Sequence, residues 1–240
     1  MITKLRYIIE NSDNIVFFGG AGVSTESKIP DFRSESGVFN IETKYGYKPE
    51  YMLSHTYFTT HTKDFFDFYR DAMINDKAMP NKAHEALRRL EEESKLKAVI
   101  TQNIDGLHQL AGSIEVLELH GSIHRNYCMD CGENYDLDFI MNANDIPRCN
   151  KCNGIVRPDV VLYEEGLDDQ IISKAVDYIS KADTLIVGGT SLAVYPAAGL
   201  VDYFKGSNLV LINKSKTPYD YRADLVINDS IGEVLYKVVK

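Results

Sequence analysis

The 240-residue sequence has no tryptophan, only four cysteines and no long run of apolar residues. No segment approaches the ~20 consecutive apolar residues of a membrane-spanning helix, so we expect no membrane partner. The N-terminus lacks the apolar core and small-residue cleavage site of a signal peptide, which predicts a cytoplasmic protein. Basic residues are outnumbered, since 26 Lys and Arg face 35 Asp and Glu, and the formal charge is −9. This charge disfavours a nucleic-acid partner and suits a basic peptide.

Short apolar runs alternate with amphipathic segments along most of the chain. We predict strands at 14–19, 97–101, 116–119, 184–187, 209–212 and 225–227, and helices at 2–12, 81–94, 168–180 and 231–239. Asn81 is suited to cap the second of these helices. Residues 36–80 differ because they are rich in Tyr, Phe and His, with helical spacing clearest at 63–75. We interpret them as a helical insertion whose aromatic side chains mostly form core.

A glycine-rich turn follows the first predicted strand. Residues 20–33 read GAGVSTESKIPDFR, in which glycines permit a close backbone approach to a ligand and hydroxyl groups bind an anion at a helix start. Thr25 stands where G-x-G-x-x-G places its third glycine, so a simple glycine turn is an equally good interpretation of this segment alone. Phe32 and Arg33 favour a binding site, because a ring and a guanidinium beside a phosphate loop can cover and bind a planar cofactor.

Polar residues follow the second and third predicted strands. Residues 101–108 read TQNIDGLH, which puts amide, carboxylate and imidazole groups just beyond a strand, where open α/β sheets bind ligands. The third strand ends at His120 and Gly121 in the same way. A single histidine after a strand is more often structural than catalytic, so the residues alone leave the roles of His108 and His120 open.

The four cysteines have the spacing of a metal site. Cys128 and Cys131 form one C-x2-C pair, and Cys149 and Cys152 form a second pair after seventeen residues. This is the spacing of a tetrahedral zinc ribbon, and four thiolates leave no coordination position for catalysis, so we predict one structural Zn²⁺. A redox pair is the competing interpretation. A nucleic-acid-binding ribbon is disfavoured by the acidic residues around the cysteines.

With GAG and IPDFR, TQNIDGLH and HG in this order, the chain resembles the sirtuins, which are NAD-dependent protein-lysine deacylases. The resemblance extends over nearly the whole chain. It implies an α/β fold, a Rossmann-like parallel sheet of about six strands built from residues 1–35, 81–124 and 157–240. Two insertions would form a smaller module, a helical insertion at 36–80 and a zinc ribbon at 125–156. Cofactor and substrate are expected to meet between the sheet and this module.

The resemblance also implies a role for each matching residue. His120 matches the general base, a role that suits an imidazole because it titrates near neutral pH, and Asn103 is expected to orient water and ribose. The residues that the resemblance assigns to NAD binding lie in the turns that follow the strands: Gly20, Ala21, Gly22, Ser24, Thr25, Phe32, Arg33, Gln102, Asn103, Ile104, Asp105, His120, Gly189, Thr190, Ser191, Asn213 and Ile231.

Residues 157–165, which read RPDVVLYEE, resemble the segment that binds an acyl-lysine peptide by strand addition. Tyr163 and Glu164 stand where the family usually has phenylalanine and glycine, and Lys28 also replaces a common glycine. The residues expected to contact the peptide are Val160, Val161, Tyr163, Val194 and Tyr195.

The reaction implied by the resemblance removes an acyl group from lysine, consumes NAD, and releases nicotinamide and O-acyl-ADP-ribose. The expected partners are NAD and acyl-lysine proteins or peptides. Two alternatives stay open: a mono-ADP-ribosyltransferase or NAD hydrolase that uses the same pocket, and a non-catalytic reader, which the intact Asn103, Asp105 and His120 disfavour. Tyr69 is followed by Ala72 where family members that accept acidic acyl groups have arginine, so we expect a preference for neutral acyl groups.

Overall fold

The structure is a computed structural model, and it describes residues 1–31 and 46–239. Phe32 and Arg33 lie outside these residues, as does the first part of the expected helical insertion. The strands are β1 (Ile15–Gly19), β2 (Leu96–Thr101), β3 (Val116–Glu118), β4 (Gly121–Cys128), β5 (Asn134–Tyr135), β6 (Val156–Val160), β7 (Thr184–Gly188), β8 (Asn208–Ile212) and β9 (Leu225–Ile227). The helices are α1 (Ile2–Glu10), α2 (Pro49–Met52), α3 (His55–Thr60), α4 (Thr62–Phe68), α5 (Lys82–Glu92), α6 (Leu107–Leu110), α7 (Leu137–Met141), α8 (Asp169–Lys181) and α9 (Ile231–Val238).

Six strands form a parallel sheet with the order β3-β2-β1-β7-β8-β9. Each of the six predicted strands is confirmed to within one residue at either end. The central strand β1 is buried along its whole length, as its β-branched and aromatic residues indicate. Its side chains alternate between two cores, since Ile15 and Phe17 join one apolar cluster while Val16 and Phe18 join the other. The strand order reverses direction between β1 and β7, which creates a crevice at the carboxyl ends of the strands.

Helices cover both faces of this sheet. Apolar residues of α1, α5 and α9 pack with Ile15 and Phe17 on one face. Residues of α8 and of the 3-10 segment Ala197–Tyr203 pack with Val16 and Phe18 on the other. The four predicted helices around the sheet are therefore confirmed, with α5 ending at Glu92.

Helix α5 begins at the cap predicted from the sequence. The side-chain oxygen of Asn81 accepts a hydrogen bond from Ala83 N at 2.9 Å. In return, Asn81 N donates to His84 Nδ1 at 3.2 Å, which completes a capping box. Leu87 and Leu90 then lie on the buried face of the helix.

A smaller module is built from the helical insertion and the cysteine ribbon. Strands β5, β4 and β6 form an antiparallel sheet in that order. A third apolar cluster joins Phe58 and Phe65 of the insertion to Ile140 and Val156 of the ribbon. In the insertion, α4 is followed by a π-helical turn at Tyr69–Met73. The exact residue bounds of the two domains stay a prediction. The small sheet extends past the bounds expected for the zinc ribbon, since β4 begins before residue 125 and β6 ends after residue 156.

Candidate functional site

A cleft of about 730 Å³ lies at the carboxyl ends of the central parallel strands and is bordered by the smaller module. Its lining includes the residues that directly follow β1, β2, β7 and β8. This is the place where open parallel sheets bind ligands, because neighbouring turns diverge there on either side of the reversal in strand order. Every predicted site residue of the described chain, apart from the four cysteines, lines this one cleft: Gly20, Ala21, Gly22, Ser24, Thr25, Gln102, Asn103, Ile104, Asp105, His120, Val160, Val161, Tyr163, Gly189, Thr190, Ser191, Val194, Tyr195, Asn213 and Ile231.

The turns after β1 and β7 contact each other through their backbones. Gly22 N donates to Gly189 O at 2.8 Å, and a Cβ added to Gly22 would lie 2.8 Å from the Gly189 Cα. Gly189 has a φ of +61°, which an L side chain rarely adopts. Glycine at both positions therefore lets the two turns meet, and it leaves their hydroxyl residues and N–H groups at the edge of the cleft. These are the groups that bind phosphate in dinucleotide sites.

Three side chains form a hydrogen-bonded network between the turns after β1 and β2. The Ser24 hydroxyl donates to Asp105 Oδ2 at 2.6 Å and accepts from the Asn103 amide at 3.0 Å. Asp105 Oδ1 in turn accepts from Leu107 N at 3.0 Å. Ser24 and Asn103 are buried, so the network holds the Asn103 amide and the Asp105 carboxylate in fixed positions.

Gln102 joins the turn after β2 to the turn after β7. Its Nε2 donates to Thr190 Oγ1 at 3.1 Å, and its backbone N donates to Gly19 O at 3.0 Å. Thr190 Oγ1 also accepts from Leu192 N at 3.2 Å. The three central strand ends are thus connected across the crevice by one backbone and one side-chain hydrogen bond of Gln102.

His120 is oriented by the same segment. Its Nδ1 lies 2.9 Å from the carbonyl oxygen of Gln102. Since a carbonyl only accepts, Nδ1 carries the proton and Nε2 is the basic nitrogen. Burial lowers the pKa of His120, and the hydrogen bond to Gln102 only partly opposes this effect. The imidazole is therefore neutral at pH 7 and able to take up a proton at Nε2.

The segment after β6 joins the parallel sheet to the smaller module. Val161 N donates to His120 O at 3.0 Å, while Tyr163 pairs through N and O with Leu53 and His55 at 2.9 and 3.0 Å. The main chain of Tyr163 is therefore engaged on the module side, and its side chain remains 40% exposed at the cleft. Tyr195, at the cleft wall formed by the segment after β7, is 68% exposed.

Glu164 and Glu165 strengthen this connection. Glu164 has a φ of +76°, and its carboxylate accepts from the Thr56 backbone N at 2.9 Å and hydroxyl at 2.7 Å. Glu165 forms a two-point ion pair with Arg157 at 2.8 and 3.0 Å. Burial acts to raise the pKa of Glu165, but the hydrogen bonds from Arg157 and Leu162 N outweigh it and lower the pKa to about 2.

Lys28, the other departure from the family pattern, does not contribute to the cleft. It has a φ of +64°, its side chain is exposed, and it is absent from the described lining of the cavity. Its carbonyl oxygen instead accepts from the Asn75 amide at 3.4 Å.

Several lining residues carried no signal in the sequence. Glu26 Oε1 accepts from Gly232 N at 3.0 Å and so connects the turn after β1 to α9 at the far end of the cleft. Tyr69, which the predicted acyl preference already pairs with Ala72, is buried and also lines the cavity, and it packs in the apolar cluster that joins the insertion to β4 and β6.

The four cysteines meet at one point of the small sheet. Their sulfur atoms all lie within 4.8 Å of one another, and the Cys128–Cys152 and Cys131–Cys149 separations are 3.4 and 3.6 Å. These separations are too long for disulfides and near the ~3.8 Å between thiolates around a tetrahedral Zn²⁺. The Tyr135 hydroxyl donates to Cys149 Sγ at 3.2 Å, which supports a thiolate from outside the ligand shell. The donor set therefore fits one structural zinc ion.

Together, the fold and the cleft define an α/β protein of the dinucleotide-binding class with a separate structural metal site. A model of the Sir2 family matches residues 20–196. The chain is 65% identical to an NAD-dependent protein deacetylase of Clostridium acetobutylicum over 99% of this chain and 98% of that protein. It is 62% identical to the Clostridium perfringens protein of the same name, again over 99% and 98% of the two chains. The protein belongs to the Sir2 family, which confirms the predicted resemblance.

Solved structures agree with this assignment. A Sir2 structure with a p53 peptide and NAD⁺ is 36% identical, with a TM-score of 0.88 and coverage of 99% of this chain and 97% of that chain. A structure from work on the mechanism and regulation of Sir2 enzymes is 42% identical, with a TM-score of 0.89 and coverage of 99% and 96%.

Proposed function

We propose that this protein is an NAD-dependent protein-lysine deacetylase that releases nicotinamide and O-acyl-ADP-ribose. The observation that carries the proposal is His120, whose Nδ1 is held by the Gln102 carbonyl in the same cleft as the Ser24, Asn103 and Asp105 network. Relatives with this name are up to 65% identical over essentially the whole chain, which supports the same chemistry here.

NAD, when bound, supplies the ribose carbon that receives the acyl oxygen and the nicotinamide that leaves. The turns after β1 and β7 bind its phosphates through N–H groups and hydroxyls, and Gln102 binds ribose hydroxyls. Asn213 and Ile231 hold the adenosine end. Ile104 and Asp105 would bind the nicotinamide carboxamide, and the resemblance gives Phe32 and Arg33, which lie outside the described residues, the role of shielding that end from water.

His120 acts as the general base at Nε2, where it accepts a proton from a ribose hydroxyl. The hydrogen bond from Nδ1 to the Gln102 carbonyl fixes the tautomer that makes this possible. Asn103 orients the attacking water and the ribose, since its amide is held in place by Ser24. The depressed pKa of His120 keeps the base unprotonated at neutral pH.

The acyl-lysine peptide lies between two walls of the cleft. Val160, Val161 and Tyr163 form one wall, and Val194 and Tyr195 form the other. The formal charge of −9 favours peptides with basic flanking residues. Cys128, Cys131, Cys149 and Cys152 hold the zinc ion, which maintains the small module and takes no part in the reaction.

We place this activity in the cytoplasm. In the part of the chain that the structure describes, no helix has the length and apolar character needed to cross a membrane. The Rossmann-like domain comprises 1–35, 81–124 and 157–240 in this proposal, and the insertions are 36–80 and 125–156.

The test is mass spectrometry of the products formed from an acetyl-lysine peptide and NAD. We expect equal amounts of nicotinamide, free-lysine peptide and O-acetyl-ADP-ribose, and about 10²–10⁴-fold less free-lysine peptide and O-acetyl-ADP-ribose with His120→Ala. His61→Ala is the matched control, because that exposed imidazole stacks on Tyr57 away from the cleft. Nicotinamide release that is independent of acyl-peptide would instead identify an NAD hydrolase or an ADP-ribosyltransferase.

A further inference from the structure

Strand β4 contains a bulge beside the turn that follows β2. Ser122 pairs with Asp159 of β6, and the pairing resumes only at Asn126, which lies opposite Pro158. The three residues between them, 123–125, therefore have no partner in this ladder. A bulge of this kind turns side chains away from the sheet and towards a neighbouring segment.

The bulge contacts the segment that carries Ile104 and Asp105. Ile123 N donates to Ile104 O at 3.0 Å, and His124 Nε2 lies 3.1 Å from Asp105 O. Since a carbonyl only accepts, Nε2 of His124 carries the proton and donates it to this bond. The ring also lies directly against Gly106, because a Cβ added there would be 2.7 Å from His124 Cδ2 and 2.9 Å from Nε2. One imidazole therefore contacts both residues of the Asp105–Gly106 peptide bond.

The Asp105–Gly106 peptide plane needs such a restraint. Gly106 has a φ of +70°, and glycine adopts φ of either sign with similar ease, so the plane before it can rotate at little cost. The Asp105 carboxylate is held separately, by the Ser24 hydroxyl at 2.6 Å and by Leu107 N at 3.0 Å. These two bonds fix the side chain of Asp105, whereas the bond from His124 fixes its carbonyl group.

His124 acts from outside the cleft. Its side chain is exposed, and the described lining of the cleft includes Ile104 and Asp105 but not His124. Loss of the imidazole therefore opens no cavity in the core and removes no direct contact with a ligand. Any effect of His124 on ligand binding must pass through the backbone of Asp105.

We propose that His124 is a positioning residue for the nicotinamide end of the cleft, and that its bond to the Asp105 carbonyl raises the affinity for the carboxamide group. This inference rests on the proposed function, in which Ile104 and Asp105 bind the carboxamide of NAD. The same contact holds the nicotinamide product, because that product keeps the carboxamide. One net hydrogen bond corresponds to roughly a twofold to tenfold change in affinity.

The experiment compares wild type with His124→Phe and His124→Gln. Phenylalanine keeps an aromatic ring against Gly106 but has no N–H, whereas glutamine keeps an N–H donor. Titration calorimetry gives the Kd for NAD and for ADP-ribose, which lacks nicotinamide. The deacetylation assay gives the KM for acetyl-peptide and the nicotinamide concentration that halves the rate.

In His124→Phe we expect the Kd for NAD and the inhibitory nicotinamide concentration to rise about twofold to tenfold. The Kd for ADP-ribose, the KM for acetyl-peptide and the Tm should stay unchanged, since none of them depends on the carboxamide contact. His124→Gln should restore most of the difference. His61→Phe is the matched control, because it removes another exposed imidazole of the smaller module, and it should behave as wild type.

Unchanged NAD binding and nicotinamide inhibition in His124→Phe would overturn the inference while leaving deacylation intact. Equal losses of affinity for NAD and ADP-ribose would also overturn it, because they would indicate a general structural defect. If His124→Phe does not fold, His124→Ala, which also lacks the donor, decides by the same comparison. Absence of deacetylation and nicotinamide release in the wild-type protein would overturn the proposed function itself.

Discussion

Acid should destabilise this protein through His84, a buried imidazole behind the cleft. His84 is 0% exposed, and its Nδ1 accepts the capping hydrogen bond from Asn81 N at 3.2 Å. Nδ1 must be unprotonated to accept this bond, so Nε2 carries the proton, and no described residue accepts from it. The ring also meets that of His108 at 4.7 Å, and His108 is buried with both ring nitrogens unpaired among the described residues. A charge on either ring is therefore poorly solvated.

The pKa values give the direction and size of the effect. Burial lowers the pKa of His84 from its ordinary value of 6.5 to about 4, although the charge of Asp105 opposes this. Because the unfolded chain binds the proton first, His84 contributes its full stability above pH 6.5 and loses it as the pH falls towards 4. Between pH 7.5 and 5.0 this linkage amounts to about 2 kcal/mol for one group with that shift. Burial also lowers the pKa of His108, and the neighbouring His84 adds to that effect, so the second imidazole acts in the same direction.

The assay is urea unfolding at pH 7.5 and 5.0 for wild type and His84→Gln. Glutamine keeps an acceptor at the third helical position of the capping box but does not titrate. We expect the loss of unfolding free energy on acidification to be about 2 kcal/mol smaller in the variant, since all other titrating groups are common to both proteins. His61→Gln removes an exposed imidazole and should behave as wild type. Equal losses in wild type and His84→Gln would refute the reasoning.

Four further predictions address the site. His120→Ala should lower deacylation about 10²–10⁴-fold while leaving fold and zinc content unchanged, and a rate within a few-fold of wild type in a coupled nicotinamide assay would contradict the role of general base. Cys131→Ala should unfold or aggregate the small module, because structural zinc supplies folding free energy. A soluble, zinc-free variant with normal peptide binding would show that the metal is dispensable. An acetyl peptide should have a kcat/KM more than about a hundredfold above that of its succinyl version. The reason is that burying the succinyl carboxylate without a cation costs at least about 3 kcal/mol. Comparable turnover of the two peptides would show that a cation is available. Glu164→Gly should raise KM for acyl-peptide about threefold to tenfold with little change in KM for NAD, because the hydrogen bonds from Thr56 are lost. Glu164→Gln keeps an acceptor for Thr56 and should restore part of the difference. Equal changes in both KM values would indicate a general structural defect.

The sequence by itself determined the features that depend on local pattern. The run from Ile15 to Phe18 indicates a buried strand because β-branched and aromatic residues follow one another without a polar interruption. Asn81 indicates a helix start because its short side chain reaches a backbone N–H two residues later. The cysteine spacing indicates a metal site because each C-x2-C pair brings two sulfur atoms together through a short turn.

Only the tertiary structure decided the features that depend on contacts between distant segments. Gly22 and Gly189 are both turn glycines in the sequence, and their mutual backbone contact becomes visible only when β1 and β7 are neighbours. Lys28 is a cation near the cofactor loop in the sequence, and the folded chain leaves its side chain exposed and outside the described lining of the cleft. Tyr69 and His84 follow the same helical periodicity as ordinary core residues. Whether their buried polar atoms have hydrogen-bond partners depends on the groups that surround them. Those groups belong to other elements, whose packing no local pattern encodes.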